Sequence, residues 1–529
     1  MASSASPVAA LAQLVLAPPS ASALEECALA CFDEIEATPT AWDTAEVVVA
    51  VAKFVPVWTL SSIGAYPLTP WIDVRRVQEP WMSSSRTARR AQALLDTLPV
   101  TPDVCMAILT DYLRPLFQRG HARVHSETGR AIHARTSAGA GAAAWDDTMP
   151  AWQSTALDGH GRLPLGCVYV LGWILTHLQE APMSVWDRAW PLVLPPTMVL
   201  LDAPSVPTKI QGACVARLVW RCAPSALLHR TGVASLLRET LTSMLSFMSE
   251  PTYGPPLFSA VLDAQLASLS SQPSDAQYEQ VVGLLSHGVF TALSYCAPAS
   301  ASVHVLAPSA PDHTSTLHHA RLQQVLAGTA LTWASVLYTR LGEASLRFWH
   351  AHMDWAVAWL EHAFQACTPP FPFRGLPRRP VSEMVDDLVE QGTLRERDAT
   401  PDEAWDDAAA ALLASVCACL EATCTLVDIA VHAPASTSSP PWPAYAPGLA
   451  TWGPRLVSAS CMCLVRWRDL HVTQPPSIVA QGETLCAHLQ SLVRTLSASP
   501  VPAIAESIQA LAKVVPAQVA YLTAAPSAT

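Results

Sequence analysis

The sequence predicts an all-α protein, an elongated α-solenoid of divergent HEAT-like helical hairpins. Three observations carry that expectation. Apolar residues recur at helical rather than strand spacing. Prolines outnumber glycines, 45 against 21, which favours helices punctuated by proline breaks over strands joined by glycine turns. The helical runs are also short, and a single short hairpin cannot bury its apolar face without neighbours.

The pattern is clearest from Trp186 to Leu269. Leu192, Val193, Met198, Val199, Leu200 and Leu201 line one run. Val215, Leu218 and Val219 line a second, and Leu236, Leu237, Leu241, Met244 and Leu245 a third. The breaks hold Pro204, Pro207, Pro224, Pro251, Pro255 and Pro256. Each proline fixes φ and lacks an amide donor, so helices stop there.

Elsewhere the chain reads in order. Val8 to Ala17 is apolar and precedes a small-residue stretch like a cleavage site, but residues 1–7 hold no Lys or Arg. A partly frayed first helix is therefore expected over a secretory leader. Residues 24–66 give a helix and a second apolar run, Val47 to Leu60, interrupted at Pro56. Arg86 to Leu98 and Thr101 to Phe117 form a further pair, with Thr101 as N-cap and Pro102 at the first helical position. After Gln277 to Cys296, Leu317 to Leu341 and a Trp-rich helix, Ala344 to Cys367, four more helices close the chain: 402–432, 449–470, 478–496 and 503–522. The expected organisation is N-terminal repeats (1–118), a flexible insertion (119–160), central repeats (161–296), a linker (297–316) and C-terminal repeats (317–529). Proline-rich loops lie at 369–380 and 433–447.

Composition excludes several classes. Hydrophobic residues make up 51% and charged residues 14%, too apolar for disorder over most of the length. A net charge of −12 argues against tracking nucleic-acid phosphates. The basic clusters Arg86, Arg89, Arg90 and Arg374, Arg378, Arg379 read as a solvated helix start and a loop. Leu163 to Leu178 and Val281 to Cys296 fall short of the roughly 20 residues of a membrane span and hold His177 and His287. A soluble protein with neither a nucleic-acid nor a membrane partner is expected. Most of the 14 cysteines lie inside apolar runs, as buried reduced thiols do.

Several constellations invite chemistry. Asp386, Asp387 and Glu390 have the spacing by which all-helical terpenoid synthases hold magnesium, but no second acidic motif follows, so a solvated helix start is expected. Cys417, Cys419 and Cys424, with Cys461 and Cys463, lack zinc-knuckle spacing. His350, His352 and His362 form no His-Glu-x-x-His motif, and Gly139 and Gly141 lack the strand and capped helix of a nucleotide loop. No catalytic, metal or cofactor site is predicted.

The central stretch resembles a known family. Trp190-Pro191-Leu-Val-Leu-Pro195-Pro196, then Leu200-Leu-Asp202, Lys209-Ile-Gln-Gly212 and Leu227-Leu228-His-Arg230-Thr231-Gly232-Val233 look like the signature of the Tti-two (Tel-two-interacting protein two) proteins. Upstream, Leu113 to Phe117 and Thr128 to Arg130 resemble that family's segment before its variable loop. The likeness covers about residues 105–270. It departs at Ala203, where a second acid is common, and the C-terminal half aligns with no motif. The resemblance implies a HEAT-like scaffold without catalysis, a subunit of the TTT co-chaperone complex with Tti-one as its most direct partner and Tel-two. It implies maturation of phosphatidylinositol-3-kinase-related kinases (PIKKs) with the ninety-kilodalton heat-shock chaperone, in cytoplasm and nucleus. TOR signalling, the DNA-damage response and telomere maintenance would depend on it. An unrelated HEAT-like adaptor and an all-helical metal enzyme are the alternatives. Among the signature residues, Trp190, Pro195 and Pro196 are expected in a bend and core, Arg230-Thr231-Gly232 in a turn, and Lys209 at an exposed contact.

Overall fold

The computed structural model describes residues 6–16, 21–38, 41–56, 84–117, 166–249, 253–271, 273–296, 313–364, 401–432, 445–471, 474 and 476–524. Among them every regular element is helical and no strand occurs. The insertion 119–160, the acids Asp386, Asp387 and Glu390, Arg374 to Arg379 and the loop 369–380 lie outside the described residues, as does Thr128 to Arg130.

Two compact units emerge. The first holds residues 1–65, 73–247 and 256–272. Its helices are α1 (Pro7–Leu16), α2 (Ala21–Ala37), α3 (Thr44–Ala52) and α4 (Ser85–Thr97). Next come α5 (Pro102–Ala107, with a wider π-helical turn at Ile108–Leu113 and then Arg114–Leu116) and α6 (Cys167–His177). The central stretch supplies α7 (Met183–Leu201), α8 (Val206–Cys222), α9 (Ser225–Arg230), α10 (Val233–Met244) and most of α11 (Gly254–Ala267). Starts follow local chemistry. Asp43, Ser84 and Thr101 accept backbone N–H bonds as N-caps of α3, α4 and α5, with Pro102 first in its helix. Arg90 pairs with Asp33 and Glu36, tying α4 to α2. Helices α3, α6 and α8 pack side by side in one row, with α5, α7 and α10 in another.

The second unit is made chiefly of residues 273–529. It holds α12 (Ser274–Gly283, a π-helical turn at Leu284–Val289, then Phe290–Tyr295), α13 (His313–Leu341), α14 (Trp349–His362) and α15 (Pro401–His432). Helices α16 (Ala446–His471), α17 (Pro476–Ala498), α18 (Pro502–Val514) and α19 (Pro516–Thr523) complete it. Helices α13, α15, α17 and α19 form one row and α14, α16 and α18 the other. That two-row order is how stacked hairpins bury faces none could cover alone. The single run expected over 503–522 is two helices, because Pro516 cannot continue α18. The Trp-rich run opens as a 3₁₀ segment, Gly342–Phe348. One apolar stretch is longer than expected: Ala410–His432 in α15 is long and apolar enough to cross a membrane, and most of it is buried inside the protein, against α13 and α17.

A polar relay runs through this core. The Thr423 hydroxyl donates to Cys419 O at 2.7 Å, so toward His352 it accepts. His352 Nε2 therefore carries the proton of that 3.0 Å bond, and Nδ1 accepts from the Tyr338 hydroxyl at 3.1 Å. The ring is wholly buried, and desolvation pushes its pKa down to about 4. A ring held neutral in the fold gives the unfolded chain the greater proton uptake between pH 6.5 and 4, so stability is present above that window and lost on acidification through it. We expect this group to remove about 3 kcal/mol across the window. His352→Gln, which cannot titrate, should flatten that part of the profile in denaturant unfolding at stepped pH. Parallel profiles for the two proteins would exclude the assignment.

Candidate functional site

The site is the α7–α10 region, where the signature residues converge. Helix α7 continues through Pro191, Pro195 and Pro196, although each proline removes one N–H and crowds the carbonyl four residues back, at about 3 kcal/mol or more for an interior position. Burial of the helix offsets that cost. Trp186, Trp190, Leu194, Met198 and Leu201 are all within 1% of full burial; Pro195 and Pro196 are buried and Pro191 half-buried. Trp186 Nε1 donates to Leu178 O at 3.0 Å, closing the end of α6, and Thr197 Oγ1 donates to Val193 O at 2.9 Å. Trp190 is thus a core residue, as the sequence predicts.

At its C-terminus α7 meets α8. A Cβ on Gly212 would lie 2.7 Å from Leu200 C and Leu201 N, so only glycine lets the backbones come this close. Lys209 stands one turn earlier on α8. Its Nζ donates to Leu201 O at 3.1 Å and lies 4.8 Å from the centre of the Phe247 ring. A cation on the last carbonyls of a helix is favoured by the helix dipole. Burial lowers the ammonium pKa, and the half-exposed Asp202 carboxylate at the end of α7 opposes that shift. The exposed contact expected of Lys209 is therefore corrected: the side chain is only 7% accessible. Its long stem folds back over eight residues onto an orphan carbonyl that no spacing rule marks.

The next turn is as the sequence predicts. Thr231 ends α9, donating from Oγ1 to Leu227 O at 2.8 Å. Gly232 starts α10 at φ 71°, in the left-handed region. Leu228 is fully buried. Arg230 is exposed and pairs with Asp187 of α7.

Residues outside the signature complete the packing. Arg217 Nε of α8 meets Asp263 Oδ2 of α11 at 2.6 Å; burial raises the Asp263 pKa, with Arg217 and Arg221 opposing. Gln265 Nε2 donates to Arg238 O and Thr242 Oγ1, at 3.0 and 2.9 Å, joining α11 to α10. Sequence reasoning passed over these residues; a lone charge inside an apolar helical run was the available signal.

Among the signature side chains, Lys209 and Thr231 bond main-chain carbonyls at helix ends and Arg230 pairs with Asp187. Among the described residues no group of three or more His, Cys, Asp or Glu is set to hold a metal ion. Burial pushes the Cys417, Cys419 and Cys424 thiols up to about 12, so they stay protonated. The model of the Tti2 family matches residues 74–345, just over half of the chain. No curated protein and no solved structure matches.

Gly212→Ala should destabilise the first unit by about 1–3 kcal/mol, the range for overpacking, because backbone rather than a flexible side chain must give way. Trp190→Ala should cost about 3–5 kcal/mol through the cavity it leaves. Both are read by thermal unfolding, and a wild-type midpoint for either would contradict the packing. Lys209→Met should lower the midpoint as well, whereas a solvated lysine would leave it unmoved.

Proposed function

The chain belongs to the Tti2 family, and from that premise we propose that it is a non-catalytic scaffold subunit of the TTT co-chaperone complex. In this reading it works with Tti-one, its most direct partner, and Tel-two. With the ninety-kilodalton heat-shock chaperone it supports maturation of PIKKs, among them TOR and the DNA-damage kinases, in cytoplasm and nucleus. One observation carries the scaffold part. Among the residues that carry the resemblance, Lys209 and Thr231 close helix ends, Gly212 permits backbone contact and Trp190 fills the core. Rows of paired helices present extended side faces, and such faces suit long protein partners better than small substrates.

Affinity purification of the full chain should recover both other TTT subunits. Depleting the protein from cells should lower the levels of several PIKKs together while their messages stay constant, because a co-chaperone acts on the folded product. Kinase levels that remain normal after depletion would refute the proposed role.

A further inference from the structure

Helix α2 carries two rows of residues with the same spacing. Ala28, Phe32 and Ile35 are buried, and the Phe32 ring meets that of Phe54 edge-on, with centroids 5.6 Å apart. One residue earlier, at the same i, i+4 and i+7 intervals, stand Cys27, Cys31 and Glu34. This second row lies at the surface: Cys27 and Glu34 are exposed and Cys31 is half-buried. Among the described cysteines Cys27 alone is exposed.

The helix limits what the two thiols can do. Side chains four residues apart hold their Cβ atoms about 5–6 Å from each other, whereas a disulfide needs about 3.5–4.5 Å. The pair therefore cannot close on itself without distorting α2. Two metal–thiolate bonds of about 2.3 Å, on opposite sides of one ion, set the sulfurs about 4.6 Å apart. Rotation of the two side chains supplies that span. Burial raises the pKa of the Cys31 thiol, and Glu34 and Cys27 act in the same direction. Nucleophilic chemistry needs a free thiolate, so a protonated Cys31 is poorly suited to it. A soft metal ion, by contrast, takes sulfur ligands by displacing their protons.

The charges around the pair favour a cation. Arg90 pairs with Asp33 and Glu36, and Arg86 lies 3.7 Å from Glu25, all on the side toward α4. Arg89 donates to Ser85 O within its own helix. Glu26 and Glu34 flank the thiols and pair with none of these arginines, so an approaching cation meets two carboxylates. Among the described residues no group of three His, Cys, Asp or Glu is placed around one ion, so Glu34 does not join the two sulfurs as a third ligand. Zinc, which takes four ligands, does not suit such a set.

We propose that Cys27 and Cys31 form a surface site for monovalent copper, held between the two sulfurs. Soft thiolates select Cu(I), and this closed-shell ion accepts two ligands in line. On binding, two S–H bonds break, two S–Cu bonds form and both protons pass to solvent; no electron is transferred. The site stands apart from the co-chaperone role and does not depend on it.

The test titrates the reduced full chain with Cu(I) under anaerobic conditions, in competition with the chromophoric chelator bicinchoninate. The wild-type chain should withdraw one equivalent of copper, and X-ray absorption should show two sulfur neighbours. Cys27→Ser and Cys31→Ser should each lower the affinity at least a hundredfold. Cys27 packs against nothing in the core, so Cys27→Ser should melt at the wild-type temperature and its lost binding reports a lost ligand. A wild-type chain that withdraws no copper, or wild-type affinity in either variant, would overturn the site. Three or more sulfur neighbours would overturn it as well. Adventitious binding to single thiols would survive in both variants. Should Cys31→Ser melt early, Cys27→Ser decides alone.

Discussion

Two helices reach backbone contact only where no side chain stands between them, and Gly212 meets that condition. Its Cα faces the Leu200–Leu201 peptide so closely that a single methyl group would collide with backbone atoms. Because α7 and α8 belong to different rows, this contact fixes the distance between rows at the middle of the first unit. Lys209 works at the same junction from the polar side, closing the α7 terminus from inside the interface. Shape and charge thus act on one peptide, and the helices beyond it, α6 against α8 and α10 against α7, take their places from that pair.

The prolines of α7 belong to the same economy of packing. An isolated helix with Pro191, Pro195 and Pro196 would break, since three hydrogen bonds are missing within two turns. Here tertiary burial outweighs local propensity. Two tryptophans and a run of aliphatic side chains leave water together, and each such group contributes roughly 1.5–3 kcal/mol. Cations reappear at helix ends in the second unit, where Arg466 Nη1 donates to the carbonyls of Glu361 and Ala363 at the end of α14. In a chain with few charges, basic groups are placed against the backbone dipoles of helix ends.

Much of this was legible in the residues. The cap at Thr101 and the breaks at Pro204 and Pro224 follow from rules that act within four residues, and they set helix boundaries correctly. Trp190 and the Thr231–Gly232 turn were placed for the same reason. Lys209 was misplaced because its partner is a main-chain oxygen, and main-chain groups leave no trace in a sequence. The π-helical turns at 108–113 and 284–289 had no visible signal either. Gly212 did carry one, a glycine inside an apolar helical run with no cap to make, but which backbone it would touch depends on how helices cross. The apolar length of Ala410–His432 was missed because Glu421 and Asp428 interrupt it, although both lie outside its buried positions.

The division between near and far contacts bears on how a family signature should be read. A residue that closes a helix end or allows a backbone contact has few substitutes, whereas an apolar core position accepts any side chain of suitable volume. Recognisable motifs in a helical-repeat protein will therefore gather at helix junctions, and their presence identifies a way of folding before it identifies a surface. Binding groups must be sought by a different criterion, as groups whose requirements the fold itself leaves unmet. Arg230 has Asp187, Arg217 has Asp263 and Lys209 has a helix end. Arg238 Nη1 and Trp220 Nε1 are buried without a hydrogen-bond partner among the described residues, and such buried donors are costly to the fold that holds them.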